Sequence, residues 1–75
     1  MKYKTLNDKI LEADSLRDLA EQLWQMMMVP EPTLEEWMLN SARRALEWNG
    51  AVIRTGSPED HVEDLIEVGL LSRLS

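Results

Sequence analysis

Apolar residues recur along much of this chain at intervals of three and four, the spacing that puts them on one face of an α-helix. The longest series is Leu16, Leu19, Ala20, Leu23, Trp24, Met27 and Met28, an almost complete i, i+3, i+4, i+7 pattern over more than three turns. Ser15 stands before it as an N-cap with Asp18 at N3, and together they predict a helix near 16–28. A second series, Leu34, Trp37, Met38, Ser41, Ala42, Ala45 and Leu46, follows the capping box of Thr33 and Glu36 and stops at Asn49 and Gly50, predicting a helix near 34–48. Leu6, Ile10 and Leu11 behind the pair Thr5 and Asp8 predict a short helix near 6–13, with Tyr3 packing ahead of it. Val62, Leu65 and Ile66 behind Ser57 and Pro58 predict one near 58–68, with Gly69 placed for its C′ residue.

The segments between these series complete the outline. Pro30 and Pro32 end the 16–28 pattern, because proline lacks the amide a helix interior needs and biases its predecessor away from the helical region. A connection of about five residues then predicts an antiparallel hairpin of the two long helices. AVIRTG, residues 51–56, is expected to be an extended connector whose Val52 and Ile53 plug the core, and the tail LLSRLS to dock or form one more turn. The expectation is one all-α domain over 1–75: a bundle of about four helices around a central antiparallel helical hairpin.

Composition sets limits on this outline. A chain of 75 residues buries only about 60% of its unfolded surface, and with no cysteine and a single histidine, His61, it has neither disulfides nor soft-metal staples. Self-association as a homodimer, or a bound partner, is the expected supplement. No stretch approaches the ~20 apolar residues of a membrane span and no apolar leader follows Lys2 and Lys4, so a cytoplasmic protein without membrane contact is expected. Fourteen acids against eight bases give a net charge of −6, which opposes direct binding to nucleic acid.

Two features point to an interaction surface. Met26, Met27 and Met28 span about 200° of a helix and cannot all face one core. Met27 and Met28 continue the core stripe, leaving Met26 as the outlier; Leu39, about 200° from Trp37, is its counterpart on the next helix. Methionine suits surfaces that adapt to a partner. Trp37 and Trp48 stand eleven residues apart, three turns, nearly on one line with Ser41 and Arg44 between them. Tryptophan and arginine are the residue types enriched at binding hot spots, although both rings could instead cover the edge of a small core.

The second feature is an acidic stripe on the last predicted helix, Glu59, Asp60, Glu63, Asp64 and Glu67, with no base on that helix face. Like charges at i, i+4 weaken a helix slightly, so the stripe suits a solvated face, docking on a basic surface, or mimicry of a phosphate array. Residues 63–74, EDLIEVGLLSRL, resemble the helix end preceding the wing in winged-helix regulators, which implies DNA reading; the helix departs from that pattern in carrying five acids and no Lys or Arg.

Catalytic chemistry has little to stand on. His61 would need a serine or threonine beside it, and the nearby candidates serve as helix caps; there is no glycine-rich phosphate loop and no E-x-x-H metal arrangement. No cofactor or metal is implied. Small size, acidity and lack of recognisable chemistry are similar to those of accessory proteins of phages and mobile elements. The expectation is therefore a small acidic protein–protein interaction module rather than an enzyme: an inhibitor, adaptor or regulatory subunit whose partner has a basic or mixed basic and apolar surface. Its expected contact residues are Met26, Trp37, Leu39, Arg44, Trp48, Glu63, Asp64 and Glu67. The alternative is a DNA mimic or nucleic-acid-associated regulator using the acidic helix 59–67.

Overall fold

A computed structural model describes residues 1–27 and 30–74. It corrects the all-α expectation: three helices pack with a three-stranded antiparallel sheet, an α+β arrangement. The order is β1 (Lys2–Thr5), β2 (Ile10–Glu12), α1 (Leu16–Gln25), α2 (Leu34–Asn49), α3 (Pro58–Glu67) and β3 (Leu71–Arg73). β1 is the central strand, with Tyr3 opposite Leu11 on one side and Arg73 on the other.

The helix expected near 6–13 is instead a β-hairpin. Thr5 and Asp8, taken as a capping pair, are turn residues: the Asp8 amide donates to the Thr5 carbonyl at 3.0 Å, and the Thr5 amide donates to the Lys9 carbonyl at 2.9 Å. Asp8 takes a left-handed backbone with φ of 65°, which closes such a turn and which Asp tolerates better than most residues. The pairing turns Tyr3 inward, fully buried, and leaves Leu6 and Ile10 exposed. A period of two fits these positions better than the period of 3.6 assigned to them.

The three later helices start as their caps predict. Ser15, Thr33 and Ser57 each accept the amide three residues on through the side-chain oxygen, from Asp18, Glu36 and Asp60. α1 ends at Gln25 with Met26 as its cap, shorter than the expected 16–28; the assignment of Met28 to the core stripe lies outside the described residues. α1 makes its main helix contact with α3, not α2, so the helical hairpin is not the centre of the fold. The 51–56 connector has no regular secondary structure, and of the two residues expected to plug the core only Ile53 is buried; Val52 is exposed.

α3 closes in a paired C-terminal turn. The Leu70 amide donates to the Leu65 carbonyl, and Gly69 adopts φ of 85°, a conformation costly for any residue with a Cβ. That turn redirects the chain so that the tail pairs with β1 as β3, in place of an extra helical turn, with the Leu74 amide reaching the Lys2 carbonyl at 2.8 Å. Tyr3, Ala13 and Leu71 from the sheet region meet Leu19 and Ala20 of α1, Trp37, Met38 and Ala45 of α2, and Val62 and Leu65 of α3 in one core. Among the described residues no helix is long and apolar enough to cross a membrane.

Candidate functional site

Two neighbouring features dominate the region between α2 and the rest of the fold: a buried polar knot under its middle, and an open groove beside it. The knot centres on His61. Pro58, His61, Val62 and Leu65 form the inward row of α3 at helical spacing, which carries the imidazole into the interior with no exposed surface. There Nδ1 lies 2.8 Å from the Arg54 carbonyl oxygen, Nε2 lies 3.1 Å from Ser41 Oγ, and the ring meets Trp37 edge-to-face with centroids 5.1 Å apart. A carbonyl can only accept, so Nδ1 carries the proton and Nε2 accepts from the Ser41 hydroxyl. Burial holds the His61 pKa below its ordinary value, against the smaller opposing pulls of the Arg54 carbonyl and the Asp64 charge.

Arg54 extends the knot to the surface. Its Nε and one terminal nitrogen each donate to Asp64 at 2.9 Å, its amide donates to the same carboxylate at 2.8 Å, and Asp60 and Glu63 lie at 3.5 and 3.9 Å. These hydrogen bonds from Arg54 hold the Asp64 carboxyl below its usual range. The acidic stripe is thus answered by a base from the preceding connector. Glu59 and Glu67 are the stripe members left outside this cluster, and both are exposed.

The groove has a volume of about 440 Å³. One wall is α2, where Trp37, Ser41, Arg44 and Trp48 follow one another along the line that their spacing predicts, with Ala45 beside them. Leu23, Met26 and Met27 at the end of α1, Thr5, Leu6 and Asn7 of the hairpin turn, and Leu65, Leu70 and Leu71 around the α3–β3 turn complete the lining. Arg44 is the one charged residue among the lining side chains. The mouth is strongly apolar: Trp48 is 75% exposed and Leu6 72%. Trp37, in contrast, is only 4% exposed and serves as floor, which corrects its expected outward placement.

The other expected contact residues divide between places. Met26, Trp37, Arg44 and Trp48 all line the groove; Leu39 is exposed but not in its lining, and Glu63, Asp64 and Glu67 belong to α3 outside it. Met26 is half-buried and Met27 more exposed, the reverse of the order expected, because the helix ends at Gln25 and the 100° step per residue no longer applies. Sequence reasoning missed the Ser41–His61 contact. The available signal was that His61 shares the i, i+3, i+4, i+7 row of α3 and Ser41 the tryptophan line of α2, but nothing in the sequence places those two rows against each other.

A hydrogen-bonded serine and histidine, with the histidine oriented by a third group, is also the arrangement that activates a nucleophile. Here Ser41 lies in mid-helix, where the surrounding amides are committed to helix bonds and not aimed at a developing oxyanion. His61 is closed to solvent, so water has no path to the base. Among the described residues no group of three or more His, Asp or Glu side chains is placed to hold a metal ion. Comparison with known proteins gives no match, whether to family models, curated proteins or solved structures.

Proposed function

We propose that the protein is a small acidic interaction module that acts on another protein, as an inhibitor, adaptor or regulatory subunit, by receiving an apolar segment of it in the groove between α1 and α2. The observation that carries this reading is the composition of the mouth: Trp48 and Leu6 stand largely in solvent, with Met27 partly so, around an apolar depression of about 440 Å³. Three of the exposed large apolar side chains, Leu6, Met27 and Trp48, meet at this one concavity, and an apolar cluster around a depression favours a binding role there. Tryptophan and methionine suit that role, one as a large rigid anchor and the other as an adaptable wall.

The occupant we propose is an amphipathic helix. The α2 wall runs three turns, roughly 16 Å, from Trp37 to Trp48, with the small residues Ser41 and Ala45 between the two rings. Small residues in the middle let a second helix approach closely over the Trp37 floor, and the exposed Trp48 ring borders it at one end, as in helix-in-groove recognition. The net charge of −6 favours a partner with basic or mixed basic and apolar flanks, through steering of the encounter. We read the Ser41–His61 pair as a structural tie beneath this groove, not as a catalyst. The DNA-mimic alternative draws less support, because Arg54 lies within 4 Å of three of the five stripe carboxylates.

The test is positional. A photo-crosslinking residue replacing Met27 should join the protein to a second polypeptide in the cells it comes from, and the same residue at Glu59 should not. Adducts at Glu59 with none at Met27 would overturn the groove in favour of the acidic helix.

A further inference from the structure

We infer that Arg44 is the specificity-determining residue of the groove, and that the helix it receives carries one acidic side chain set within its apolar row. This rests on the groove being the docking site, and it adds the chemistry by which that site selects its occupant.

The two arginines that flank the polar knot show why. Arg54 has its guanidinium fork filled, with two donors at 2.9 Å on the Asp64 carboxylate and two further carboxylates within 4 Å. Arg44 is placed differently. Among the described residues its ion-pair contact is with Glu31, where the nearest nitrogen stands 4.0 Å from Oε1, beyond hydrogen-bond range. Glu31 is otherwise engaged: Oε1 accepts from Asn40 Nδ2 at 3.3 Å and its backbone carbonyl accepts the Trp24 indole N–H at 2.7 Å. Its Oε2 is buried without a hydrogen-bond partner among the described residues, so Arg44 does not turn its donors onto it.

Arg44 is therefore a half-buried cation on the wall of an apolar groove, 34% exposed, with donors not committed to a carboxylate. Docking an apolar helix over it would strip water from the guanidinium and supply no hydrogen bond in its place, with Glu31 Oε1 still 4.0 Å away, a desolvation cost that disfavours such a partner. A helix carrying Asp or Glu opposite Arg44 replaces that water with a charge-assisted, two-point hydrogen bond in a site of low dielectric. The position suits such reading, because Arg44 lies between Trp48 and Ser41, so the acid would fall among the partner's apolar anchors and not at their edge. The selected pattern is an apolar i, i+3 or i+4, i+7 row with one carboxylate inside it and basic residues on the flanks.

The experiment is selection from a phage-displayed library of helical 16-residue peptides with randomised faces, panned on the 75-residue chain and on its Arg44→Met and Arg44→Lys variants. Clones are retained if Trp48→Ala together with Met27→Ala abolishes their binding. The inference predicts an apolar row with Asp or Glu at one fixed position, and at least a 10-fold affinity loss when that acid is changed to Gln or Asn. On Arg44→Met the row should persist while the acid disappears from the enriched sequences; Arg44→Lys should keep the acid with weaker binding. Groove-dependent clones without an enriched acid, or an acid that persists on Arg44→Met, would overturn the role of Arg44 and leave the groove reading standing. No groove-dependent clone at all would overturn the docking reading itself.

Discussion

The two sides of α2's middle turns differ in how their side chains are used. Underneath, His61, Ser41, Arg54 and Asp64 form a knot in which each polar group meets a partner at 2.8 to 3.1 Å, closed over by Trp37. Beside it, Trp48, Leu6 and Met27 face solvent and Arg44 keeps a loose contact at 4.0 Å. The first arrangement fixes one geometry, because a buried donor or acceptor that loses its partner costs more than the bond itself contributes. The second leaves surfaces and donors available. The contrast separates substitutions that should unfold the protein from those that should only weaken binding.

The largest expected effect is at His61. His61→Ala opens a cavity and leaves the Ser41 hydroxyl and the Arg54 carbonyl without their partner, so thermal or urea unfolding should show a loss of about 3 kcal/mol. For a domain of this size that is a large part of the total stability. Ser41→Ala removes one hydrogen bond and leaves Nε2 as a buried acceptor, and the same measurement should show a loss of about 1 to 2 kcal/mol. If either substitution left stability unchanged, the knot would not be the tie described here.

Acidification probes the knot without mutation. The His61 pKa is held below its ordinary value of 6.5, so its contribution to stability is fully present above about pH 6.5 and is lost as pH falls through the lowered native value. Asp64, also lowered, acts in the same direction in a more acidic window, below its ordinary value of 3.8. Unfolding midpoints should therefore fall on acidification below pH 6.5, and the slope above the carboxylate range should vanish in the His61→Ala variant. Arg54→Gln should cost less than either buried change and lose its effect at high salt, since Arg54 is more than half exposed. At the groove mouth, Trp48→Ala and Leu6→Ser should stay within about 0.5 kcal/mol of the parent.

How far these regions were legible in the sequence follows the range of the interactions that build them. The caps at Ser15, Thr33 and Ser57 act within one turn, and each helix start matches its cap. The line of Trp37, Ser41, Arg44 and Trp48 is a property of one helix, and it reappears as the α2 wall of the groove. The hairpin is not legible locally because Lys2–Thr5 and Ile10–Glu12 are too short for either period to dominate, and because Thr5 and Asp8 bear side chains that serve a turn as readily as a helix cap. β3 depends on pairing between the two ends of the chain, Thr5 with Leu71, and no local pattern encodes that register. The meeting of Ser41 with His61, twenty residues apart, is of the same kind. Local chemistry thus shows which residues share a face, and long-range packing decides which faces are sealed and which stay open.

The measurement that most directly tests the open face is a two-dimensional 1H–15N NMR titration of the labelled protein with the tightest peptide recovered from the helical library. The docking account predicts that the largest shift changes fall at Met26, Met27, Ser41, Arg44 and the Trp48 indole, with Arg54 and Asp64 little moved. Changes centred on Glu59, Glu63 and Glu67, or on Leu39 and Leu46 of the outer α2 face, would contradict it.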